Sequence, residues 1–400
     1  MEKILKNLSW NLTGKLFRIS LNVVILAKIV QFIGYEKFGI VTLLLTYQSY
    51  FAIISTLGAE VNYGKTLVQG IYSDMFLTLF AVKLVMTCAA LFLCLLLGSD
   101  NLLLLTIFAG GLATFNLIDI ELSAKHLHKK FIKISLFTSF VSFAIKYALI
   151  ECQNDSMLIY FLILENLIIS MAYFPMQVPW LKLNVNFEYL KHIAKTSIQF
   201  LLQRLLYVMS TTILLLLFSG KVDALDFGKI ALSFKMVGFL YIMVAAMSSS
   251  FEKSIFGRSN KLVSFSNMYR TNLLFYFSVI ILFPIAAETF KSLQIAVADV
   301  YFNFDNYIAI ALSFPYFFMV SLNKWYILNR EYHILLYSNA AIIAGMVFFA
   351  AVVNHPSKTV FWVIWSACFS FGILIGLFLD NKRKRHLRVL RRSLWPVSRY

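Results

Sequence analysis

The chain has 400 residues, of which 60% are hydrophobic, 16% aromatic and only 14% charged. Globular proteins carry roughly 25% charged residues, so this composition excludes an ordinary soluble fold, a disordered chain, a coiled coil and a disulfide scaffold. It predicts an all-α polytopic membrane protein. The charge is the second unusual feature, because 36 Lys and Arg against 19 Asp and Glu give a net charge of +17.

Apolar stretches of about 20 residues, long enough to cross a hydrocarbon core about 30 Å thick, recur along the whole chain. We predict twelve transmembrane helices. Eleven or thirteen remain alternatives, because the ninth stretch is weak and contains Pro284. The predicted spans are 16–34, 38–60, 75–97, 101–122, 134–151, 156–178, 196–218, 227–250, 271–288, 303–322, 334–353 and 359–379.

The basic residues indicate orientation, because Lys and Arg accumulate in cytoplasmic loops. With the N-terminus in the cytoplasm, 26 of the 36 basic residues fall in cytoplasmic segments, and only Lys37, Lys221, Lys291 and Lys358 fall outside. This bias predicts an even number of spans with both termini cytoplasmic. We interpret the basic tail 381–400 as an anchor on anionic lipids and expect no nucleic-acid partner.

The spans divide into two halves that carry a weak repeat. Phe38-Gly39 follows the first span, and Phe227-Gly228 follows the seventh. Two bundles of six helices in the same orientation, around a central cavity, are typical of transporters that alternate access. The predicted domains are an N-terminal bundle 1–180, a cytoplasmic linker 181–195, a C-terminal bundle 196–380 and the tail 381–400.

Basic residues inside the predicted spans are the strongest functional signal. They are Lys28, Lys83, Lys146, Arg204, Lys229 and Lys235. Lys229 is close enough to a helix end to reach the membrane surface, so we give it no role. Each of the others costs roughly 2.5–3.5 kcal/mol at a helix centre, so we expect it to face a partner or a water-filled cavity.

Polar residues at helical spacing accompany several of these charges. Lys146 continues the stripe Ser135, Ser139 and Ser142, and Arg204 flanks the stripe Lys195, Gln199, Gln203, Tyr207 and Thr211. Further stripes are Asn11, Lys15, Arg18 and Asn22 in the first span, and Asn166, Ser170, Tyr173 and Gln177 in the sixth. Such stripes either pack helices together or line a cavity, and the added charges favour a cavity.

Acidic residues in or near the spans are fewer. Asp119 can pair with neighbouring bases, whereas Glu165 can pair with Lys146 or Lys83, or bind a proton or a sodium ion. Base exceeds acid at the deep positions, so a cavity there should be cationic and its ligand anionic. We expect no catalytic cluster and no metal site, because carboxylates are scattered and the cysteines form no CxxC pair.

Three segments resemble a known family. IGYEKFG at 33–39 resembles the LGPExFG signature of Wzx-type oligosaccharide flippases, in the multidrug/oligosaccharidyl-lipid/polysaccharide exporter superfamily. LGAEVNYGK at 57–65 resembles the end of the family's second span, and the seventh and eighth spans resemble its helix, glycine-containing loop and base at Lys235. The chain departs from the family in two places. Gln31 replaces a basic residue, with Lys28 one turn earlier, and Ser210 to Thr212 replace an acid.

The resemblance implies a flippase of the bacterial inner membrane that translocates an undecaprenyl-pyrophosphate-linked oligosaccharide, such as an O-antigen or capsule repeat unit. It would act beside a polysaccharide polymerase and a chain-length regulator. Together with the buried charges, it leads us to expect a cationic cavity without a cofactor, whose coupling ion, H⁺ or Na⁺, binds Asp119 or Glu165. The expected substrate-binding residues are Lys28, Lys146, Arg204, Lys235, Arg18 and Lys83. Alternatives are a membrane polysaccharide polymerase, a cation-coupled multidrug exporter and a peptidoglycan-precursor flippase.

Overall fold

The structure is a computed structural model that describes residues 2–60, 63, 75–114, 117, 128–173, 186–256, 261–292, 298–328, 331–354 and 356–381. Every regular element in these ranges is helical, which confirms the predicted all-α fold. In chain order the helices are α1 (Glu2–Ser55), α2 (Met75–Leu96), α3 (Asn101–Leu112), α4 (His128–Glu151), α5 (Asp155–Tyr173), α6 (Phe187–Phe218), α7 (Ala224–Phe256), α8 (Lys261–Ser292), α9 (Ala298–Tyr301), α10 (Phe304–Leu312), α11 (Phe314–Leu328), α12 (Tyr332–Val352) and α13 (Lys358–Asn381).

Ten helical segments of the described chain are long and apolar enough to cross a membrane. One of them, Phe17–Ser55, is divided by a non-helical residue at Gly34, and α3 adds a shorter apolar helix. The tenth predicted span is formed by α10 and α11 together. Each of the twelve predicted spans therefore has a helical counterpart in the described residues, and the chain is a multi-pass membrane protein.

Gly34 separates the first two spans where the sequence predicted a connection. Its φ of +78° and ψ of 163° lie in a region that is essentially restricted to glycine. A Cβ at this position would meet no atom within 4 Å. The backbone conformation, and not crowding, therefore requires glycine here.

The ninth predicted span is part of a longer helix. Helix α8 extends from Lys261 to Ser292 with Pro284 inside it. Proline is tolerated in transmembrane helices because neighbouring groups can satisfy the carbonyl that loses its N–H partner. The weak sequence signal at this span thus reflects its proline and polar flanks, and not a break in the helix.

The chain divides into two compact units. We call Ser20–Val208 the N-terminal unit, and residues from Met209 onward, together with those up to Ile19, the C-terminal unit. Val208 and Met209 are consecutive residues of α6, which begins at Phe187 and so overlaps the predicted linker 181–195.

Small residues allow close helix packing within the N-terminal unit. A Cβ on Gly110 of α3 would lie 2.6 Å from the backbone oxygen of Gln48, and one on Gly111 would collide with the side chain of Thr87. Membrane helices commonly use small residues in this way, since backbones must approach closely to gain van der Waals contact. Helix α3 also packs on α5, which in turn packs on α4. These contacts position the candidate site.

The C-terminal unit packs around large aromatic side chains. Trp365 lies in contact with Trp362, Phe369 and Tyr316, and its indole Nε1 donates a hydrogen bond to the carbonyl oxygen of Thr211 at 3.2 Å. A buried Trp usually needs such a partner for its N–H. This cluster joins α6, α11 and α13 in one core.

Candidate functional site

The intramembrane bases fall in different units and settings. Lys28, Lys83, Lys146 and Arg204 belong to the N-terminal unit, whereas Arg18 and Lys235 belong to the C-terminal unit. Both Arg18 and Lys235 are half-buried and interact with other groups. Asp119 lies outside the described residues, so its predicted role stays a prediction.

Lys146 and Glu165 form a buried ion pair between α4 and α5. The Lys146 Nζ lies 2.7 Å from the Glu165 Oε1, and the Ser142 hydroxyl donates to the same oxygen at 2.5 Å. Ser142 and Lys146 are four residues apart, so they share the face of α4 that meets α5. The Lys146 side chain is 5% exposed and that of Glu165 is 22% exposed. Of the two partners proposed for Glu165 from the sequence, the structure places Lys146 against it.

A pocket of about 90 Å³ reaches Glu165 along the groove between α4 and α5. The rest of its lining is mostly apolar, with Phe137, Val141 and Ile168 among the residues. These three side chains are exposed. Apolar exposure along a membrane span indicates a lipid-facing surface. The carboxylate therefore lies at the boundary between a buried ion pair and an apolar pocket.

Lys28 is held by an aromatic ring. Its Nζ lies 4.5 Å from the centroid of the Tyr147 ring, which is a cation–π geometry. Tyr147 directly follows Lys146 in α4, so adjacent residues of α4 are the buried Lys146 and the ring that contacts the half-buried Lys28 of α1. Within the described part of the chain Lys28 forms no ion pair, and the same holds for the exposed Arg204 of α6.

Lys83 lies in a separate polar cluster. It is 1% exposed, and its Nζ donates to the Ser55 hydroxyl at 3.1 Å. The carboxylate of Glu60 attracts it electrostatically and accepts a hydrogen bond of 3.1 Å from Thr56. This cluster satisfies Lys83 where α1 ends beside α2.

The polar stripe of α5 packs helices together. Gln48 donates to the carbonyl oxygen of Ile163 at 2.7 Å and accepts from Asn166 at 3.1 Å. The Ser170 hydroxyl accepts from the backbone N–H of Thr114 at 3.1 Å. The sequence left open whether this stripe packs helices together or lines a cavity. Asn166 and Ser170 both make contacts between helices, so they pack helices together.

Sequence reasoning missed three residues of these sites: Gln48, Ser55 and Tyr147. An uncharged polar residue or a tyrosine carries little signal in a span, because its cost there is small compared with that of a charge. Tyr147 could have been noticed as the neighbour of Lys146. Its contact with Lys28, however, depends on how α1 packs against α4, which spacing alone does not give.

No group of three or more His, Cys, Asp or Glu side chains in the described ranges is placed to hold a metal ion. The side chains around α4 instead contribute positive and negative charges inside the membrane span. Two lysines and one carboxylate lie along α4 and its neighbours, and the carboxylate already accepts hydrogen bonds from the Lys146 ammonium and the Ser142 hydroxyl.

Comparison with known proteins identifies a similar fold but no related sequence. No family model and no curated protein matches the chain. Two chains among solved structures match. One is the crystal structure of MATE in complex with MaL6, at a TM-score of 0.57 and 10% identity, over 96% of this chain and 97% of that chain.

The chain has a MATE-like fold. At 10% identity this likeness shows the fold alone. An identity of 10% carries no information about cargo. Membership of the exporter superfamily, and of its Wzx-type branch, therefore stays a prediction.

Proposed function

We propose that the protein is a flippase that moves an undecaprenyl-pyrophosphate-linked oligosaccharide from the cytoplasmic to the outer leaflet of the bacterial inner membrane. The observation that carries the proposal is the MATE-like fold over 96% of the chain. The signature-like segment at 33–39 adds the choice of a lipid-linked oligosaccharide as cargo. Transport would proceed by alternating access, in which two bundles open in turn to either side of the membrane.

The cargo explains why bases should remain available inside the membrane. A pyrophosphate is anionic and strongly hydrated, so its passage needs donors and positive charge, which Lys and Arg supply. Lys28 and Arg204 suit this role best, because neither is neutralised by a carboxylate among the described residues. Lys146 is available only when it separates from Glu165. Lys83 is fully enclosed by its own polar cluster, so we assign it to helix packing.

A cation-coupled exporter of the same superfamily is the second candidate. One observation favours it: the Glu165 carboxylate borders a pocket lined by Phe137 and Phe161, and carboxylates with aromatic rings suit organic cations. Lys146 counts against it, because its ammonium already neutralises that carboxylate at 2.7 Å. The anionic cargo is therefore the better fit.

The test is translocation in proteoliposomes. Purified protein is reconstituted with a labelled undecaprenyl-pyrophosphate oligosaccharide, and the sugar that becomes accessible to an external lectin is measured over time. We expect protein-dependent exchange that slows about tenfold in Lys28→Gln and in Arg204→Gln, since losing one charge-assisted contact of about 1.4 kcal/mol gives that factor. Lys133→Gln serves as the matched control. Lys133 is an exposed lysine near the N-terminal end of α4, whereas Tyr147, the contact of Lys28, lies near the C-terminal end of that helix.

Two outcomes would overturn the proposal. One is exchange no faster than in protein-free liposomes, combined with proton- or sodium-driven efflux of an organic cation, which would establish the second candidate. The other is elongation of the oligosaccharide in the same vesicles, which would indicate a polymerase.

A further inference from the structure

The contact that holds the Lys28 ammonium differs from those of Lys83 and Lys146. Its Nζ lies 4.5 Å from the centroid of the Tyr147 ring, and Lys28 makes no hydrogen bond or ion pair in the described part of the chain. Lys28 is half-buried, whereas Tyr147 is 39% exposed. A lysine of α1 is therefore held by α4 through the face of a ring.

Helix α4 fixes the ring that Lys28 contacts. Phe143 precedes Tyr147 by four residues, so both side chains lie on the same face of α4. Their rings are nearly parallel, with an interplanar angle of 17° and centroids 6.3 Å apart. Lys146, the residue before Tyr147, joins α4 to α5 through its ion pair with Glu165. The ring is therefore held in place by packing, whereas Lys28 reaches it on a flexible four-carbon stem.

A ring and a carboxylate hold a lysine with different consequences. A carboxylate cancels the positive charge, as Glu165 does for Lys146. A ring attracts the ammonium through its quadrupole but carries no net charge. The charge of Lys28 therefore persists, and those of its N–H groups that point away from the ring can donate to a ligand.

Without the ring, the Lys28 ammonium would have a competing position. A lysine side chain in a membrane helix tends to extend toward the nearer membrane surface, where its charged group is hydrated. Lys28 precedes the break at Gly34 by six residues, which is less than two helical turns. The contact with Tyr147 opposes such an extension and keeps the ammonium within the span.

We propose that Tyr147 is a positioning residue, whose ring keeps the Lys28 ammonium inside the span and leaves its outward N–H groups to bind a phosphate-class anion. The inference rests on the proposed function, because it takes the pyrophosphate of the cargo as the ligand of Lys28. Tyr147 acts through Lys28 and does not touch the cargo. Placing a flexible charge in advance lowers the ordering cost of binding, so the ring strengthens cargo binding.

The first test is a double-mutant cycle on lectin-detected exchange. Tyr147→Leu should slow exchange about three- to tenfold at low cargo concentration, which is the range for a partly desolvated cation–π contact, and little at saturating cargo. Tyr147→Phe retains the ring face and should restore the lost rate. In a Lys28→Gln background, Tyr147→Leu should slow exchange no further, because no ammonium is left for the ring to hold.

The matched control is Tyr160→Leu. Tyr160 lies on α5, is 45% exposed and contacts no lysine in the described ranges. Its replacement should leave exchange unchanged at low and at saturating cargo. Tyr147→Met fills a similar space without a ring, and it takes the place of Tyr147→Leu if that variant fails to fold.

Lysine labelling tests the position of Lys28 without any cargo. The full chain in phosphatidylcholine nanodiscs is treated with a water-soluble amine-reactive ester, and the labelled fraction of Lys28 is followed by mass spectrometry. We expect labelling to be several-fold faster in Tyr147→Leu, because the released ammonium reaches the hydrated surface, and Tyr147→Phe should restore slow labelling. The exposed Lys133 should be labelled equally in all three proteins.

Three results would overturn the inference. One is a loss of exchange in Tyr147→Phe as large as in Tyr147→Leu, which would assign the role to the hydroxyl group. The others are an undiminished effect of Tyr147→Leu in the Lys28→Gln background, and unchanged labelling of Lys28 in Tyr147→Leu. Expected labelling without any flipping by the wild type would instead contradict only the proposed function.

Discussion

Three lysines show three ways of keeping an ammonium group inside a membrane protein. Lys146 is neutralised by a carboxylate, Lys28 lies over an aromatic ring, and Lys83 donates to a hydroxyl near a carboxylate. The ion pair neutralises the charge of Lys146, whereas the aromatic ring leaves the charge of Lys28 available to a ligand. The setting of each lysine, more than its depth in a span, therefore determines whether its charge is already neutralised.

Replacing Lys83 by Met should destabilise the protein. Lys83 is 1% exposed, and its removal leaves Glu60 without its attracting charge and Ser55 without a donor. Stranding buried polar groups in this way costs about 1–3 kcal/mol. We expect a lower midpoint of thermal unfolding in detergent, followed by fluorescence-detected size exclusion, and partial recovery in the double variant Lys83→Met, Glu60→Gln. Lys133→Met is the exposed control, and an equal midpoint for both single variants would contradict the structural role of Lys83.

Gly34→Ala should also destabilise, although nothing crowds the new methyl group. The cost comes from the φ of +78° and ψ of 163°, which alanine adopts only with a strain of about 1–3 kcal/mol. Gly238→Ala is the matched control, because that helical glycine likewise has no atom near its missing Cβ. Alanine should stabilise α7 by up to about 1 kcal/mol. Midpoints of thermal unfolding that shift in the same direction in both variants would argue against a glycine-specific bend at position 34.

At the scale of helices, each of the two units contains an ion pair at an equivalent position, and the acidic and basic residues of the pair are exchanged between the units. In the N-terminal unit, the Lys37 Nζ lies 2.6 Å from the Asp155 Oδ2. In the C-terminal unit, the Lys358 Nζ lies 3.2 Å from the Asp226 Oδ1. Lys37 and Asp226 each precede a Phe-Gly pair, and Asp155 and Lys358 are the first residues of α5 and α13. The correspondence supports the internal repeat that the sequence indicated.

The protein should tolerate an exchange of the two charges of the Lys37–Asp155 ion pair. Lys37 and Asp155 are both about half exposed, so solvent screens their pair and it contributes little to the free energy of unfolding. We expect Lys37→Asp to lower the midpoint of thermal unfolding slightly, and Lys37→Asp with Asp155→Lys to restore it. Lys358→Asp should cost more, because Lys358 also lies 3.1 Å from Asp305 and the variant leaves three carboxylates together. A larger loss for Lys37→Asp than for Lys358→Asp would refute this ranking.

The sequence was most informative about the spans and least informative about side-chain partners. Long apolar stretches and the IGYEKFG connection depend on local composition, so the helices and the break at Gly34 were predictable. The pairing of Glu165 with Lys146, in preference to Lys83, depends on which helices are neighbours. Periodicity could not distinguish packing from cavity lining at Asn166 either, because both place a polar face toward another helix.

At the scale of the whole molecule, the excess of +17 has a topological meaning. We predict that the basic residues flanking the spans orient the chain, and we propose that Lys28 and Arg204 inside the spans bind the cargo. The predicted orientation places the turn between α4 and α5 outside the cytoplasm. It places the basic tail 381–400 in the cytoplasm. A native cysteine lies in that turn, so the orientation can be tested with little alteration of the protein.

Cys152 should react with a membrane-impermeant maleimide added to intact spheroplasts. It is exposed at the end of α4, whereas Cys368 is buried. The exposed Cys88 and the half-buried Cys94 both lie within the apolar helix α2. A thiol in hydrocarbon does not ionise, and the thiolate is the reactive form. Cys152→Ser should therefore abolish labelling. Adding Ser393→Cys to that variant should restore labelling only after the membrane is permeabilised. Labelling of Cys152 only after permeabilisation would instead place both termini outside and reverse the direction of transport proposed for this protein.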